Sequence, residues 1–154
     1  MNNKLKDLCS YVIVIGITLF LATQVLFHYQ VNGSSMYPTL EENDTGFALR
    51  TNLSLKKINR FDIVIINYVD RYLVKRVIGL PNEKIEYKDN KLYVNGEYVE
   101  ENFIKDTLTE DLQINLGDNE YYCLGDNRQF SVDSRVHGPF TKDMIRAIFL
   151  RSVK

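Results

Sequence analysis

Residues 33–40 (GSSMYPTL) hold the first side chains that could do chemistry, two adjacent serines between a glycine and a proline. Gly33 lets the backbone turn without steric cost, while Pro38 fixes its own φ and extends the residue before it. A serine held between such constraints keeps one orientation, as a nucleophile must. A serine hydroxyl attacks nothing at neutral pH unless a nearby base takes its proton. The stretch therefore predicts nucleophilic catalysis only if the chain supplies that base.

Lys75 is a candidate for the base, because it belongs to residues 72–78 (YLVKRVI), a run that predicts a strand. Side chains alternate between the two faces of a strand, so Lys75 shares a face with Leu73 and Val77 while Arg76 points away. Burial among apolar groups lowers the pKa of a lysine, and a neutral lysine can deprotonate a serine. The alternation equally allows a solvated Lys75 with Arg76 buried in an ion pair, and periodicity alone does not decide between them.

Residues 125–135 (GDNRQFSVDSR) form the third stretch, with acids, amides, hydroxyls and two arginines in eleven positions. Asp, Asn, Ser and Gly are also turn formers, so an ordinary loop would have a similar composition. The density of donors and acceptors favours a site, with Asp133 and Arg135 spaced to point the same way in an extended segment. Such a loop can hold a neutral lysine through a hydroxyl. His137, just beyond it, is an alternative base, in a serine–histidine site with Asp133.

An uncharged apolar run, residues 8–27, predicts a membrane anchor. As a helix, these residues span about 30 Å, the hydrocarbon thickness of a bilayer. A cleaved secretory signal has a shorter apolar core of ~7–15 residues, and the serine stretch follows too closely for the helix to be dispensable. Lys4 and Lys6 place the N-terminus in the cytoplasm. We expect a single-pass protein of the cell membrane, with residues 1–7 as cytoplasmic tail, 8–27 as anchor and 28–154 as extracytoplasmic domain.

The composition of the 154-residue chain indicates one folded domain of ordinary type, with 45% hydrophobic and 25% charged residues. The net charge of −1 and the lack of a long basic run give no indication of a nucleic-acid partner. Two histidines are too few for a typical zinc site, so neither a metal nor another cofactor is expected. Cys9 and Cys123 fall on, or nearly on, opposite sides of the predicted membrane and should not pair.

After the serine stretch the pattern is that of antiparallel strands separated by turns. Runs rich in β-branched and aromatic residues predict strands at residues 62–68, 72–78, 84–87, 91–94, 97–99, 120–124 and 145–153. Asn95-Gly96 is the strongest hairpin signal, because both turn positions favour φ > 0. Residues 100–119 are polar and weakly patterned, which predicts a surface excursion. The sequence therefore predicts a mostly β, antiparallel domain on one N-terminal helix.

Together, the three stretches resemble the type I signal peptidases, the membrane-anchored serine–lysine proteases of peptidase family S26, in a short form resembling those of Gram-positive bacteria. The matching motifs are residues 33–40, residues 75–81 (KRVIGLP) and residues 125–128 (GDNR), followed by Ser131, Asp133, Ser134 and Arg135. Their order, their spacing and the preceding anchor agree with the family over nearly the whole chain. The resemblance implies a signal-peptidase-like β-sheet catalytic domain behind a single transmembrane helix.

The resemblance also implies a role for each matching residue. Ser35, and not Ser34, would be the nucleophile, Lys75 the general base, and Ser131 the hydroxyl that orients the lysine. Asp133 and Arg135 would form the structural ion pair of the family, and Asp126 and Arg76 match further positions that support the site. The family's substrates are exported preproteins, cut after small residues at positions −1 and −3 (Ala-x-Ala type) and docked as an added strand. We expect a monomer in the lipid bilayer.

Two positions depart from the family pattern. Gly33 stands where some members have a serine that donates to the oxyanion, so the developing charge would rely mainly on backbone N–H groups, including that of Ser35. Asn82 and Glu83 follow Pro81, where the family commonly has Gly-Asp. Because asparagine tolerates the left-handed conformation and glutamate keeps the acid, the turn should survive. The short region at residues 100–119 implies that the large extra domain of longer members is absent.

Other interpretations of the sequence stay open. Residues 54–57 (SLKK) match the Ser-x-x-Lys motif of penicillin-binding enzymes, without its partner motifs. Asn-x-Ser/Thr triplets begin at residues 32, 43 and 52, and would matter only in a eukaryotic secretory route. A catalytically silent, membrane-tethered binding module would keep the fold without the activity. The self-cleaving repressor proteases also use serine and lysine, although those proteins are soluble.

Overall fold

The computed structural model describes residues 3–51, 57–104 and 107–150. Within these ranges the chain forms one long N-terminal helix and eleven strands in two sheets. Several sequence predictions fall wholly or partly outside the described residues. These are the Ser-x-x-Lys motif at residues 54–57, the Asn-x-Ser triplet at residues 52–54, the end of the strand predicted at residues 145–153, residues 105–106 of the excursion predicted at 100–119 and the first two residues of the tail predicted at 1–7.

Helix α1, Asn3–Val25, contains most of the apolar run and is about 34 Å long at 1.5 Å per residue. Among the described residues it is the one helix long and apolar enough to cross a membrane. Its large apolar side chains, such as Ile13 and Phe20, are exposed, so no other described part of the chain covers them. The helix predicted at residues 8–27 ends two residues too late, because Leu26 and Phe27 pair with a neighbouring strand instead.

The strands are β1 Leu26–Gln30, β2 Thr45–Arg50, β3 Ile63–Tyr68, β4 Arg71–Gly79, β5 Lys84–Lys88, β6 Lys91–Val94, β7 Glu97–Val99, β8 Leu112–Asn115, β9 Glu120–Leu124, β10 Phe140–Thr141 and β11 Ile145–Phe149. A second, short helix is α2, Ser134–His137. The large sheet has the order β1-β2-β11-β3-β4-β9-β10, and the small sheet has the order β7-β6-β5-β8. All pairings between neighbours are antiparallel, which confirms the predicted fold class.

The predicted strands after residue 60 are observed within one or two residues, apart from the undescribed end of the last one. The Asn95-Gly96 turn is also confirmed, with φ of 51° and 88°. The surface excursion predicted at residues 100–119 is wrong in part, because β8 lies inside it and pairs with β5. Strand β8 has only four residues, with Leu112 and Ile114 as its half-buried side chains, so its alternation was too short to stand out.

The core lies on both faces of the large sheet, because its central strands are buried on both sides. In β3, Val64 and Ile66 pack on one face while Ile63 and Ile65 pack on the other, and all four are at most 2% exposed. A third cluster, which includes Tyr87, lies under the small sheet. Since β4 pairs with β3 along most of its length, β4 carries its charged residues into this doubly buried layer.

Candidate active site

Ser35 and Lys75 meet at the surface of the core. Lys75 Nζ lies 2.8 Å from Ser35 Oγ, and it also donates a hydrogen bond to the carbonyl of Val74 at 2.9 Å. The two residues are 40 positions apart in sequence, and one lies in a loop while the other lies in β4. The predicted nucleophile and the predicted base are therefore within hydrogen-bonding distance of each other.

The loop of Ser35 is held by apolar anchors on its C-terminal side. Met36 and Leu40 are 1% and 2% exposed, and they pack in the same core cluster as Ile65. The amide of Leu40 donates to the carbonyl of Met36 at 2.9 Å and closes a turn around these anchors. Gly33, on the other side, has φ of 91°, a conformation that favours glycine. The serine therefore projects from a turn whose neighbours are fixed.

The two adjacent cations of β4 are buried, with Lys75 only 3% exposed and Arg76 only 2%, whereas Arg71 at the start of the strand is exposed. The sequence had set a buried Lys75 against a buried Arg76 as alternatives, and the structure buries both because β4 has core on each face. Burial and, to a smaller extent, the charge of Arg71 lower the pKa of Lys75, whereas Asp133, Cys123 and Asp126 raise it, and the net result is a pKa of about 8. A substantial fraction of Lys75 is thus neutral slightly above neutral pH, as a base requires.

Arg76 is compensated by a carboxylate. Its Nε and Nη2 donate to the two oxygens of Asp126 at 2.8 and 2.6 Å, and its Nη1 donates to the carbonyl of Phe61 at 2.9 Å. Thr39 donates its hydroxyl to the same carboxylate. Arg76 and Asp126, both expected from the resemblance to support the site, therefore form an ion pair that the sequence analysis did not predict. Thr39 adds the serine loop to this pair, a role that the sequence reasoning did not assign either.

Asp133 and Arg135 also pair, though not in the extended segment that the sequence predicted. Asp133 precedes α2 and caps it, so the two side chains meet across a helical turn, with Arg135 Nε and Nη2 each 2.9 Å from the carboxylate. The amide of Gly125 donates to the same carboxylate at 3.0 Å. Burial on its own would raise the pKa of Asp133, but these donors hold it below its ordinary value. Asp133 is therefore an anion already bound to other partners.

Gly125 allows the third stretch to touch the nucleophile loop. A Cβ at this position would lie 2.5 Å from the carbonyl oxygen of Ser35, and it would also overlap the Ser131 hydroxyl. Asn127 also binds the nucleophile loop. Its backbone N–H donates to the Ser35 carbonyl at 3.0 Å, and its side-chain NH₂ donates to the Ser34 carbonyl at 3.1 Å. Asn127 was quoted in the motif but given no role.

Ser131 is brought into the site but does not bond Lys75. Its hydroxyl is buried, and no hydrogen bond of normal geometry joins it to a described residue. It nevertheless lies close enough to Asp133 to help lower the pKa of that carboxyl group. The structure thus places the predicted orienting hydroxyl beside Gly125 and Asp133, and the orienting role itself stays a prediction.

Arg128 holds the site loop to the small sheet and was missed. It is 2% exposed and donates to the carbonyl of Gly125 at 3.0 Å, to Tyr87 Oη at 3.0 Å and to Thr109 Oγ1 at 2.7 Å. Its Nη2 forms an ion pair with Glu101 at 2.6 Å. The signal available in the sequence was its place in the GDNR motif, but its partners lie far away in the chain.

His137 does not reach the serine in this arrangement. Its ring packs against Tyr68, with the ring centroids 4.3 Å apart, and its Nε2 has no hydrogen-bond partner among the described residues. Its only bond with Asp133 joins backbone atoms, from the His137 amide to the Asp133 carbonyl at 2.9 Å. The geometry therefore favours Lys75 over His137 as the base.

A cleft of about 360 Å³ opens beside Ser35 and Lys75, lined by residues 27–32, Ser35, Met36, Ile65 and residues 72–75. One wall is β1, the edge strand of the large sheet. The other is the first half of β4, where β9 does not pair, because its register begins at Arg76. The main chain of residues 72–75 is thus free of a strand partner on the side away from β3, within the described residues.

Comparison with known proteins agrees with the resemblance seen in the sequence. The sequence model of the family described as "Signal peptidase, peptidase S26" matches residues 5–150. The chain is 37% identical over 149 residues to signal peptidase I S of Bacillus subtilis, covering 88% of this chain and 81% of that protein. It is 36% identical over 150 residues to signal peptidase I V of the same organism, covering 87% and 89%.

A solved structure also matches. The crystal structure of a signal peptidase I from Enterococcus faecalis V583 superposes with a TM-score of 0.57 and 31% sequence identity. The match covers 62% of this chain and 99% of the Enterococcus chain.

Proposed function

Because the chain belongs to the signal peptidase family, peptidase S26, and is therefore a peptidase, we propose that it removes signal peptides from exported preproteins with Ser35 as nucleophile and Lys75 as base. The observation that carries this proposal is the 2.8 Å distance between Ser35 Oγ and the buried Lys75 Nζ. A base must lie within hydrogen-bonding distance of the proton it takes, and must be unprotonated near the working pH. Lys75 meets both conditions, with its pKa lowered to about 8.

The reaction is an acyl transfer in two steps. Neutral Lys75 takes the proton of Ser35 as Oγ attacks the scissile carbonyl, and the resulting ammonium gives that proton to the leaving amine of the mature protein. Lys75 then takes a proton from water, which attacks the ester carbonyl, and returns it to Ser35 Oγ as the signal peptide leaves. The oxyanion of each tetrahedral intermediate would be bound by backbone N–H groups, including that of Ser35, since Gly33 has no side-chain donor.

The cleft supports a proposal for how a signal peptide would be presented and why small residues would be selected. An extended peptide laid along residues 72–75 can bond their unpaired main chain as an added strand. Alternate side chains of such a peptide would point into the cleft, whose lining includes the apolar residues Met36, Ile65 and Val74 beside Ser35. We infer Ala-x-Ala cleavage on this basis, because larger side chains would hold the scissile bond away from Ser35.

We assign helix α1 as the anchor that holds this cleft at a membrane. Its length and apolar surface suit a span, and Lys4 and Lys6 favour a cytoplasmic N-terminus. The predicted arrangement of tail (1–7), anchor (8–27) and extracytoplasmic domain (28–154) is kept as part of the proposal, except that the anchor helix ends at Val25 and the domain begins with β1 at Leu26. Because β1 continues directly from α1, the anchor would place the cleft close to the membrane surface, where signal peptides end.

The test is cleavage of a preprotein bearing an Ala-x-Ala site in detergent micelles. The wild type should cut once, after the second alanine, whereas Ser35→Ala and Lys75→Ala should leave the preprotein intact while keeping the wild-type circular dichroism. Ser34→Ala is the matched control and should still cut. If the wild type is folded but inert, the silent binding module becomes the better account. If Lys75→Ala still cuts, the base lies elsewhere.

A further inference from the structure

A second cavity, of about 450 Å³, shares no lining residue with the Ser35 cleft and is lined by Arg50, Thr51, Lys142, Asp143, Ile145 and Arg146. Three of these six side chains are cationic and one is anionic. The excess of positive charge is local, since the whole chain has a net charge of −1. We call this group of residues the basic cavity.

The basic cavity lies at the end of the large sheet that adjoins helix α1. Strand β1 begins at Leu26, directly after the last helical residue, Val25, and Leu26 is the partner of Leu49 in β2. Arg50 is therefore level with Val25, and its guanidinium lies 5.1 Å from the ring centre of Phe27. Arg50 in turn pairs with Ala147 of β11, which brings Arg146 to the same end.

The backbone around the basic cavity is fixed, while its cations have no ionic partner among the residues that the structure describes. Thr51 donates its amide to the Arg146 carbonyl at 2.9 Å and its hydroxyl to the Ile145 carbonyl at 2.6 Å. In β11 the side chain of Arg146 is exposed between two buried neighbours, so it points out of the sheet. No ion pair joins Arg50, Lys142 or Arg146 to a carboxylate in the described part of the chain.

We propose that the basic cavity binds the phosphate of an anionic phospholipid headgroup. Guanidinium and ammonium groups are the usual protein donors to phosphate oxygens. A free phosphate ion has the same chemistry, but the position of the cavity favours the lipid: if α1 spans the bilayer, its last residue lies at the headgroup level, and so does Arg50 beside it. The inference rests on the proposed membrane anchor, and it adds a lipid contact that would fix the orientation of the domain at the surface.

The experiment uses the full chain in nanodiscs of equal parts phosphatidylcholine and phosphatidylglycerol, with native mass spectrometry to count the lipids that each chain retains. The wild type should retain phosphatidylglycerol in preference to phosphatidylcholine. One basic residue near an anionic surface is worth roughly fivefold in binding, so Lys142→Gln with Arg146→Gln should lower phosphatidylglycerol retention about 25-fold. Lys88→Gln with Lys91→Gln removes the same charge from exposed positions of the small sheet and should retain lipid as the wild type does.

Each outcome separates the headgroup site from the anchor. Extraction by alkaline carbonate is measured on the same samples. If carbonate extracts the chain, α1 is not a membrane anchor, and the proposed headgroup site is overturned with it. An inserted chain that retains both lipids equally, or that loses phosphatidylglycerol equally in the control variant, overturns the headgroup site alone. In discs of phosphatidylcholine only, added inorganic phosphate that binds the wild type would assign the cavity to a soluble phosphate instead. If the double variant does not fold, Arg146→Gln alone is used, because that side chain is exposed.

Discussion

Lys75 and Arg76 are adjacent on one strand and almost equally buried, but only Arg76 has its charge compensated by an ion pair. Arg76 lies in a bidentate pair with Asp126, so its charge is compensated. Lys75 has no such pair, because the carboxylate that acts on it most strongly, Asp133, is bound by Arg135 and by the Gly125 amide. The difference shows that burial alone does not create a base here. A base arises where burial removes water and the neighbouring carboxylate is already occupied.

The Arg76–Asp126 ion pair can be broken by replacing its carboxylate. Asp126→Ala should lower the free energy of unfolding by about 3–5 kcal/mol, because it leaves the Arg76 guanidinium buried without its partner. Urea denaturation measures the change. Asp118→Ala, a carboxylate on the surface with no ion pair among the described residues, is the control and should stay within about 0.5 kcal/mol of the wild type. A small change in Asp126→Ala would mean that the pair does not hold the strand.

Replacing Lys75 should change the free energy of unfolding in the opposite direction. At pH 6, Lys75→Met should raise the free energy of unfolding by up to about 3 kcal/mol, since the pKa falls from 10.5 to about 8 and each unit is worth about 1.4 kcal/mol. The unfolded chain holds its proton up to pH 10.5, so the penalty is complete below pH 8. It fades between pH 8 and 10.5, and the advantage of the variant should fade with it. Denaturation at pH 6 and pH 10 would show this, and a destabilised variant at pH 6 would contradict it.

The contact between the two loops can be broken without touching any charge. Gly125→Ala should reduce the cleavage rate about 100-fold, because the added methyl group would displace the Ser35 carbonyl and with it the nucleophile. The rate is measured under single-turnover conditions. Gly117→Ala is the matched control, since a Cβ there first meets the flexible Glu120 side chain at 3.4 Å. Equal rates in both variants would show that the close approach of the loops does not matter.

The substitution with the smallest expected effect, at Arg135, tests most directly why Lys75 is left without an ion pair. Arg135→Gln frees the Asp133 carboxylate to interact with Lys75, and it also removes a nearby positive charge. Both changes raise the pKa of Lys75, so the rise of activity with pH should move to higher pH, with the plateau rate changed less than the midpoint. A pH–rate profile that loses height without moving would assign Arg135 a purely structural role.

The sequence predicted the parts of this site that depend on local chemistry. Strands with β-branched runs, the apolar helix, and the Ser35, Lys75 and Asp126 motifs were all visible in it. It could not decide between Lys75 and Arg76, because alternation assumes one solvated face, whereas β4 is buried on both faces from Lys75 to Gly79. It also missed the bonds of Arg128, whose partners Tyr87 and Glu101 lie 41 and 27 residues away. A short strand such as β8 forms because it pairs with a neighbouring strand, and its own alternation of apolar and polar residues is too short to predict it.

The central claim is that the buried Lys75 loses its proton and then activates Ser35, and the pH dependence of acylation tests it most directly. Single-turnover cleavage of an Ala-x-Ala preprotein would be followed from pH 5 to pH 10, with chemistry shown to be rate-limiting. The rate should rise with pH and reach half of its maximum near pH 8, because the pKa of Lys75 is lowered to about 8. A rate that stays flat from pH 5 to pH 9 would contradict Lys75 as the base.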